Sequence, residues 1–214
     1  MAMVKDISKG EAVEKAGATG LCAGANLRTP CGLRRVENLR KGDLVVTRDN
    51  GLQPVRMLWK RVVAAAEIAA DPSLAPVVLR PRAIGPMMPQ RDLAVGGAHR
   101  LLIPGWRLAD EEDGESCLVP ARDIAGLNDS AFVDRARDDV TYYNVVFDEH
   151  QVFAANGLPV ESFLLAPETL KAAPKATQAE LLKAFPDLAP KKFADYPPLR
   201  YKLRERVSYS PDFA

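Results

Sequence analysis

The chain has 214 residues, of which 47% are hydrophobic and 27% charged, a balance that is ordinary for a globular protein of one domain with extensions. Its 29 basic and 28 acidic residues nearly cancel, so the bulk charge supports neither a nucleic-acid partner nor an anionic membrane surface. Three cysteines are too few for a disulfide scaffold, and neither histidine has a Cys or His at the spacing of zinc ligands, so no metal or other cofactor is expected.

The N-terminal segment 1–19 is small, charged and weakly patterned, and it predicts a flexible leader or a short helix. It contains no apolar stretch of the length that a signal peptide requires. No segment of the chain approaches the ~20 apolar residues of a membrane-spanning helix. The sequence therefore predicts a cytoplasmic protein, with export by a leaderless route as the open alternative.

From Leu27 to about residue 157 the chain consists of short apolar runs separated by turn residues. The strongest turn is Asp49-Asn50-Gly51, because Asn and Gly accept the positive φ of a tight hairpin. Many short strands at regular spacing are typical of an all-β fold of compact, barrel-like or horseshoe form. The runs that predict strands include NLRT, LVVTR, PVRMLWKRVV, VVLRPRAIG, DLAVGG, HRLLIPG, ESCLVP, VTYYNVVFD and QVFAANG.

Residues 167–214 form a C-terminal extension rich in Pro, Ala and Lys. Thr177 followed by Glu180 has the pattern of a capping box, and Pro186 ends the helix that would begin there. A second short helix is predicted over residues 196–208. We expect both helices to pack on the β-domain as a cover without chemistry of their own. The apolar face of the first helix comprises Leu181, Leu182 and Phe185.

Both histidines lie in strand-like segments. His99 follows a Gly-Gly turn and precedes an apolar run, and His150 follows Asp148 by two residues. Residues i and i+2 of an extended strand point to the same face, so Asp148 is expected beside His150, where a carboxylate would fix the tautomer of the imidazole. The structural alternative is that both are half-buried strand histidines with backbone partners.

The cysteines and one Asn-Gly pair are further candidates. Cys22 lies near the start of the β-region, and its thiol is a candidate nucleophile. Cys31 falls in a turn and Cys117 begins an apolar strand, so both are interpreted as structural. Asn156 precedes Gly157, which predicts a hairpin turn rather than a reactive site.

The order of these motifs resembles that of the Hint superfamily, the hedgehog and intein autoprocessing domains, and in particular of bacterial Hint-type domains. The resemblance covers about residues 20–166, between the leader 1–19 and the extension 167–214. It implies a compact, pseudo-symmetric β-horseshoe with short C-terminal helices. The matching segments are TPCGLRRVENLRKGDLVVTRDNG, RDLAVGGAHRLLI, CLVPARDI and NVVFDEHQVFAANGLPVESFL.

The resemblance also implies chemistry on the chain's own polypeptide. A cysteine at the first position of such domains attacks the preceding carbonyl and converts the peptide bond into a thioester, an N-to-S acyl shift. Assigned by resemblance, Cys22 would attack the Leu21–Cys22 bond and His99 would protonate the departing nitrogen. Asp148 and His150 would assist proton transfer or later steps.

Three departures from the family pattern bear on this activity. Counted back from Thr29-Pro30, the family's cysteine position is Gly20, and two residues of strand place Cys22 ~7 Å further on. The Ser or Thr that the family carries three residues before its histidine is Gly96 here. Glu161-Ser162 stands where inteins end in His-Asn, so complete splicing is not expected.

Two alternatives stand beside autoprocessing. A degenerate Hint domain, retained as a protein-binding or structural module, accounts directly for Gly20 and Gly96. A hydrolase in which a cysteine and a histidine act on an external substrate would require a substrate pocket, which a sequence does not reveal. The sequence identifies no protein partner and no oligomeric state.

Overall fold

The computed structural model describes residues 18–109, 114–136, 138–186 and 199–205. Short antiparallel strands dominate these residues and form two six-stranded sheets and one two-stranded sheet. The fold is all-β with a few short helices, as the sequence predicts. The predicted leader lies outside the described residues up to residue 17.

The strands are β1 Leu21–Cys22, β2 Asn26–Thr29, β3 Gly32–Arg35, β4 Leu44–Val46, β5 Leu52–Pro54, β6 Met57–Val63, β7 Pro76–Leu79, β8 Leu93–Gly96, β9 Arg100–Ile103, β10 Cys117–Pro120, β11 Ala131–Val133, β12 Val140–Val146, β13 Val152–Ala155 and β14 Leu158–Glu161. The α-helices are α1 Ala65–Ala70, α2 Ala121–Ile124, α3 Pro167–Ala172 and α4 Lys175–Ala184. Short 3-10 turns lie at Val36–Asn38, Pro72–Leu74 and Gly105–Arg107.

The first sheet has the strand order β11-β7-β8-β1-β12-β6, and the second has the order β10-β9-β14-β13-β2-β3. Strands β4 and β5 pair separately as a hairpin. Although β1 is the shortest strand, it lies inside the first sheet, where Leu21 pairs with Val95 of β8 and with Tyr143 of β12. This position brings the residues just before β1 into the interior of the protein.

The two predicted Asn-Gly hairpins are confirmed. Asn156 and Gly157 have φ values of 47° and 86°, the signs that a type I′ turn requires, and they place Val152 of β13 opposite Glu161 of β14. Gly51 has a φ of 63° in the β4–β5 connection. These turns set the register of both hairpins, which decides which side chains face the core.

The main core is built from side chains of both six-stranded sheets. Leu101 and Ile103 of β9 and Val95 of β8 are completely buried in it, and Leu27 of β2 joins them. Burying a Val, Leu or Ile side chain stabilises the folded state by about 1.5–3 kcal/mol. Burial of these strand residues, which in β9 includes the consecutive Leu101, Leu102 and Ile103, therefore provides much of the driving force for folding.

The C-terminal helices pack on the first sheet as predicted, but α4 does not begin at Thr177. Pro174 occupies the N-cap position with a ψ of 145°, so the helix starts at Lys175 and Thr177 lies within its first turn. Leu181 is completely buried in a cluster with Trp59 of β6 and Phe163. The rings of Trp59 and Phe163 meet edge to face with centroids 5.6 Å apart.

The second predicted C-terminal helix, over residues 196–208, is wrong for the part that the structure describes. Residues 200 and 201 form a bend, and Leu203 forms a parallel bridge with Leu118 of β10. An unpaired sheet edge offers backbone hydrogen bonds that override a weak helix preference. Within the described parts of the chain, no helix has the length and apolar character needed to cross a membrane.

Candidate functional site

Residues 18–22 run between β8 and β12, where the predicted cleavage chemistry would take place. The backbone N–H of Ala98 donates to the carbonyl oxygen of Ala18 at 3.0 Å. The N–H of Gly96 donates to the carbonyl oxygen of Gly20 at 2.8 Å. Backbone donors from β8 and the β8–β9 connection therefore fix the path of this segment before any side chain is considered.

Gly96 permits the close approach of this segment. A Cβ added at position 96 would lie 2.1 Å from the carbonyl oxygen of Ala18 and 2.9 Å from the Cα of Thr19. The atoms in the way belong to the backbone, so they cannot rotate aside as the end of a flexible side chain can. A Ser or Thr at this position is incompatible with the observed chain path.

Gly20 is required by its surroundings in the same way. Its φ of 115° lies in a region that L side chains rarely adopt. A Cβ there would lie 2.9 Å from both the Nδ2 atom of Asn144 and the carbonyl oxygen of Tyr143. The position at which the count back from Thr29-Pro30 places the family's nucleophile thus has neither a side chain nor room for one.

Thr19 is the residue that the structure brings to His99. The Oγ1 atom of Thr19 lies 3.5 Å from the Nδ1 atom of His99. The side-chain amide of Asn144 donates to the carbonyl oxygen of Thr19 at 3.3 Å. The carbonyl oxygen of the Thr19–Gly20 bond therefore accepts from an amide donor, and the side-chain hydroxyl of Thr19 lies beside an imidazole.

His99 is buried, and its environment keeps the ring neutral. Burial lowers the pKa of His99 from its usual 6.5 to about 4; electrostatic interactions with Arg100 and His150 act in the same direction, and Glu161 opposes them. Its Nε2 atom has no hydrogen-bond partner among the described residues. At neutral pH this imidazole is an uncharged and weakly basic group.

His150 belongs to a second buried cluster, which is centred on Glu161. The Nε2 atom of His150 lies 3.3 Å from the Oε2 atom of Glu161, and the two side chains are 2% and 4% exposed. Glu161 also accepts hydrogen bonds from the backbone N–H of Arg100 at 3.0 Å and from its guanidinium at 3.3 Å. The carboxylate of Glu161 in β14 thus contacts Arg100 of the neighbouring strand β9 and His150, which precedes the other neighbouring strand, β13.

The charge state of Glu161 follows from these partners. Burial raises the pKa of Glu161, but the guanidinium of Arg100 and the hydrogen bond from His150 outweigh it and lower the pKa below its usual range. Glu161 is therefore ionised at neutral pH. An ionised carboxylate only accepts hydrogen bonds, so the Nε2 atom of His150 carries a proton.

The expected pairing of Asp148 with His150 is not observed. β12 ends at Val146, and residues 148 and 149 form a bend. Residues 148 and 150 are therefore not part of an extended strand, in which residues i and i+2 would point to the same face. The side chain of Asp148 is 56% exposed and forms an ion pair with the Nε atom of Arg56 at 3.2 Å. Glu161, which the sequence analysis did not consider as a partner, takes the place beside His150.

Cys22 lies in an apolar part of the first sheet. It pairs with Tyr142 of β12, is 3% exposed, and belongs to a cluster of buried residues that includes Val63 and Ile68. The residue before it, Leu21, is engaged with strands on both sides. Cys31 is exposed in a turn and Cys117 is buried at the start of β10, and none of the three cysteines forms a disulfide.

The described residues hold no group of three or more His, Cys, Asp or Glu side chains arranged to bind a metal ion. The two histidines contact different partners, Thr19 for His99 and Glu161 for His150. The site therefore consists of two buried imidazoles in separate contacts, of which His99 lies beside the side chain of Thr19.

Comparison with known proteins supports the resemblance seen in the sequence. A family model described as a Hint domain matches residues 19–167. The solution structure of a bacterial intein-like domain from Clostridium thermocellum is 16% identical, with a TM-score of 0.43, and the match covers 68% of this chain and 100% of that one. The crystal structure of the gp41-1 intein is 13% identical, with a TM-score of 0.40, and covers 67% and 98%. No curated protein matches the chain.

Proposed function

The chain belongs to the Hint domain family, and on that premise we propose that it is an autoprocessing-type domain that no longer cleaves its own backbone and acts as a protein-binding module. Members of this class cut a peptide bond by attack of a side chain on the carbonyl just before it. The proposal is that this fold has been kept while the attacking group has been lost.

One observation carries the proposal: Gly20 follows Thr19, whose hydroxyl lies beside His99 and whose carbonyl oxygen accepts from the amide of Asn144. A glycine has no nucleophile, and the contacts of a Cβ at this position with Asn144 and Tyr143 leave no room to gain one by substitution alone. Gly96 adds to this support, because the hydroxyl donor expected there is absent as well. Losing one such donor costs about 10²–10³ in rate at comparable sites.

Cleavage at Leu21–Cys22 has less support from the geometry. The peptide bond that precedes Cys22 lies within a strand whose residue Leu21 pairs with Val95 on one side and with Tyr143 on the other. The thiol of Cys22 does not reach the Thr19–Gly20 bond either, because two residues of extended chain, ~7 Å, separate it from Gly20, whereas attack requires about 3–3.5 Å. A thiol in this position would have to act on a bond that the sheet holds flat.

A second candidate is cleavage by the hydroxyl of Thr19, favoured by its approach to His99. The Oγ1 atom would bond to the carbonyl carbon of Ala18, the bond to the Thr19 nitrogen would break, and the hydroxyl proton would pass through His99 to that nitrogen. The N–H of Ala98 already donates to the carbonyl oxygen of Ala18. This N-to-O acyl shift is an isomerisation that leaves the chain joined through an ester. Attack on that ester by water or by added hydroxylamine would then release the segment that ends at Ala18.

The basicity of His99 decides against this candidate. With a pKa of about 4, the ring is poorly matched to removing a hydroxyl proton near neutral pH. The proton would also have to enter a buried site where burial opposes an imidazolium ion. The same argument weakens any cleavage that depends on His99 as a base.

Intact-mass analysis of the purified full chain, with and without dithiothreitol or hydroxylamine, tests the proposal. We expect the full-length mass in every condition, because Gly20 offers no nucleophile and His99 is too weakly basic to activate the hydroxyl of Thr19. Cys22→Ala and Thr19→Val are the matched variants, and both should give the same result as the wild-type chain.

The fragments that would overturn the proposal are distinct. Loss of the segment that ends at Leu21, abolished in Cys22→Ala, would establish cleavage by the thiol. Loss of the segment that ends at Ala18, abolished in Thr19→Val, would establish cleavage by the hydroxyl. Either result would return the protein to the active autoprocessing class.

A further inference from the structure

The edge of the second sheet carries an extended segment from the C-terminal part of the chain. The N–H of Leu118 in β10 donates to the carbonyl oxygen of Lys202 at 2.9 Å, and the N–H of Arg204 donates to the carbonyl oxygen of Leu118 at 3.0 Å. Leu203 thereby forms a parallel bridge with Leu118. Residues 200 and 201 form a bend, and residues 202–204 lie along the sheet edge through this single bridge, a contact of the kind by which β-sheet edges capture peptides.

Two side chains of this segment fill an apolar hollow beside the edge. Tyr201 and Leu203 pack on a buried cluster of Leu102, Leu118 and Val152. The hydroxyl of Tyr201 donates to the carboxylate of Asp49, with contacts of 2.8 and 3.0 Å. The hollow therefore has an apolar floor and a carboxylate at one end.

The charges at the rim complement those of the segment. The Nε atom of Arg200 lies 3.5 Å from Asp49, and the ammonium group of Lys202 lies 2.8 Å from the carboxylate of Glu115. In the next ion pair the charges are reversed: the segment provides the carboxylate of Glu205, which lies 3.6 Å from the guanidinium of Arg122. This alternation favours one direction and one register of the bound strand.

We propose that this edge, the β10 groove of Asp49, Leu102, Glu115, Leu118 and Val152, is a binding site for an extended partner peptide with the pattern basic-Tyr-basic-Leu. In the structure the chain's own residues 199–205 occupy it. The inference rests on the proposed binding role and names the surface and the class of partner for it.

The contacts of the resident segment are those of an exchangeable ligand. The backbone of the segment is joined to β10 by two hydrogen bonds, both made with Leu118. The side chains of Tyr201 and Leu203 are only partly buried. Lys202 and Glu115 are largely exposed, so their ion pair contributes little, whereas the side chain of Asp49 is 13% exposed and also accepts from the Tyr201 hydroxyl. Because the segment belongs to the same chain, it competes with an added peptide as an intramolecular ligand.

The test uses the full chain with Leu203→Asp, which places a charge on the apolar floor and releases the resident segment. A fluorescent peptide with the sequence LRYKLRE, identical to residues 199–205, is then titrated against this variant and against the wild-type chain. We expect the variant to bind the peptide at least about tenfold more tightly, because the tethered competitor is gone.

Amide hydrogen exchange at Leu118 gives a readout of the groove itself. Its N–H donates to the resident segment, so its exchange should accelerate in Leu203→Asp and slow again when the peptide is added. Tyr201→Ala is the second variant and should behave alike. The control peptide LEYELRE reverses the two charges that face Asp49 and Glu115 and should bind at least about tenfold more weakly.

Equal affinity of the wild-type chain and a folded Leu203→Asp variant would overturn the proposal, and so would a Leu118 amide that stays protected in that variant. Either result would make residues 199–205 a permanent part of the fold. These outcomes are independent of cleavage, because the intact-mass experiment reads the bonds around Thr19 and the titration reads β10. The failure of one proposal can therefore be told from the failure of the other.

Discussion

The carbonyl oxygen of Ala18 lies 2.1 Å from the point at which a Cβ of residue 96 would stand, so Gly96 and the path of the N-terminal segment depend on each other. A glycine at this position is a steric requirement of the fold as well as a departure from the family pattern. This relationship gives a direct test of the chain path.

Gly96→Ala should destabilise the fold by about 2–4 kcal/mol, because backbone atoms of Ala18 and Thr19 would have to move. The matched control is Gly97→Ala, whose Cβ would meet the Cβ of Arg122 at an ordinary 3.5 Å and should cost less than about 1 kcal/mol. Urea unfolding of both variants measures the difference. Equal stabilities would mean that the segment before β1 does not follow the path described.

Restoring a cysteine at position 20 should not restore cleavage. Gly20→Cys places a Cβ 2.9 Å from Asn144 and from the Tyr143 carbonyl, at a φ that disfavours any side chain. We expect no loss of mass under thiol treatment. Thiol-dependent release of the segment that ends at Thr19 would show that the surroundings of the Thr19–Gly20 bond are still competent for the acyl shift.

At position 20, the destabilisation caused by steric contacts of a side chain can be separated from the destabilisation caused by the positive φ. Gly24 has a φ of 90° and nothing within 4 Å of its Cβ position, so Gly24→Ala reports the conformational cost alone, about 1 kcal/mol. Gly20→Ala should cost about 2 kcal/mol more, because of its contacts. Chemical unfolding of the two variants gives this difference, and equal costs would contradict the described packing around Asn144.

Stability should depend on pH through His99. The pKa of His99 is about 4 in the folded protein, against the ordinary value of 6.5 that applies to the unfolded chain. Between these two pH values the unfolded chain binds more protons than the folded protein. Stability therefore falls as the pH drops from 6.5 to 4. The full effect is about 3 kcal/mol. Urea midpoints measured between pH 4.5 and 7.5 test this dependence.

The control for this pH effect is His99→Asn, which removes the titrating ring. The groups that act on His99 are Glu161, Arg100 and His150. Since the pKa of Glu161 is lowered from 4.5, its own contribution is lost only below that pH, outside the chosen window. A pH profile that is unchanged in His99→Asn would place the titration on another group.

Two carboxylates offer a matched comparison of buried and exposed ion pairs. Glu161→Gln leaves Arg100 and His150 without their shared anion, and it should cost about 3 kcal/mol. Asp148→Asn removes a largely exposed partner of Arg56 and should cost less than about 1 kcal/mol. Thermal unfolding of both variants at pH 7 checks this ranking, and a reversed order would refute the assignment of Glu161 as the partner of His150.

The sequence predicted well those features that depend on a few neighbouring residues. Asn156-Gly157 requires positive φ at two successive positions, so the β13–β14 hairpin and its register could be derived locally. Counting outward from that turn pairs Val152 with Glu161 and brings Glu161 close to His150. The register of this hairpin therefore predicts Glu161 as the partner of His150, the role that was expected of Asp148.

Features that depend on distant contacts could not be predicted in the same way. Thr19 and His99, which approach each other, are 80 positions apart in the sequence. The amide that contacts the Thr19 carbonyl comes from Asn144 of β12, a further distant segment. The non-helical conformation of residues 199–205 depends on the edge of β10, which helix propensity does not report. In each case the tertiary partner decides the local structure.

The strand order of the first sheet has a mechanical consequence. Among the described strands, β1 alone connects β11-β7-β8 with β12-β6, so Leu21 and Cys22 hold three strands on one side to two on the other. A force applied through the N-terminal end of this strand would load that junction first. The resistance of the whole sheet to pulling from that end is therefore governed by its shortest strand.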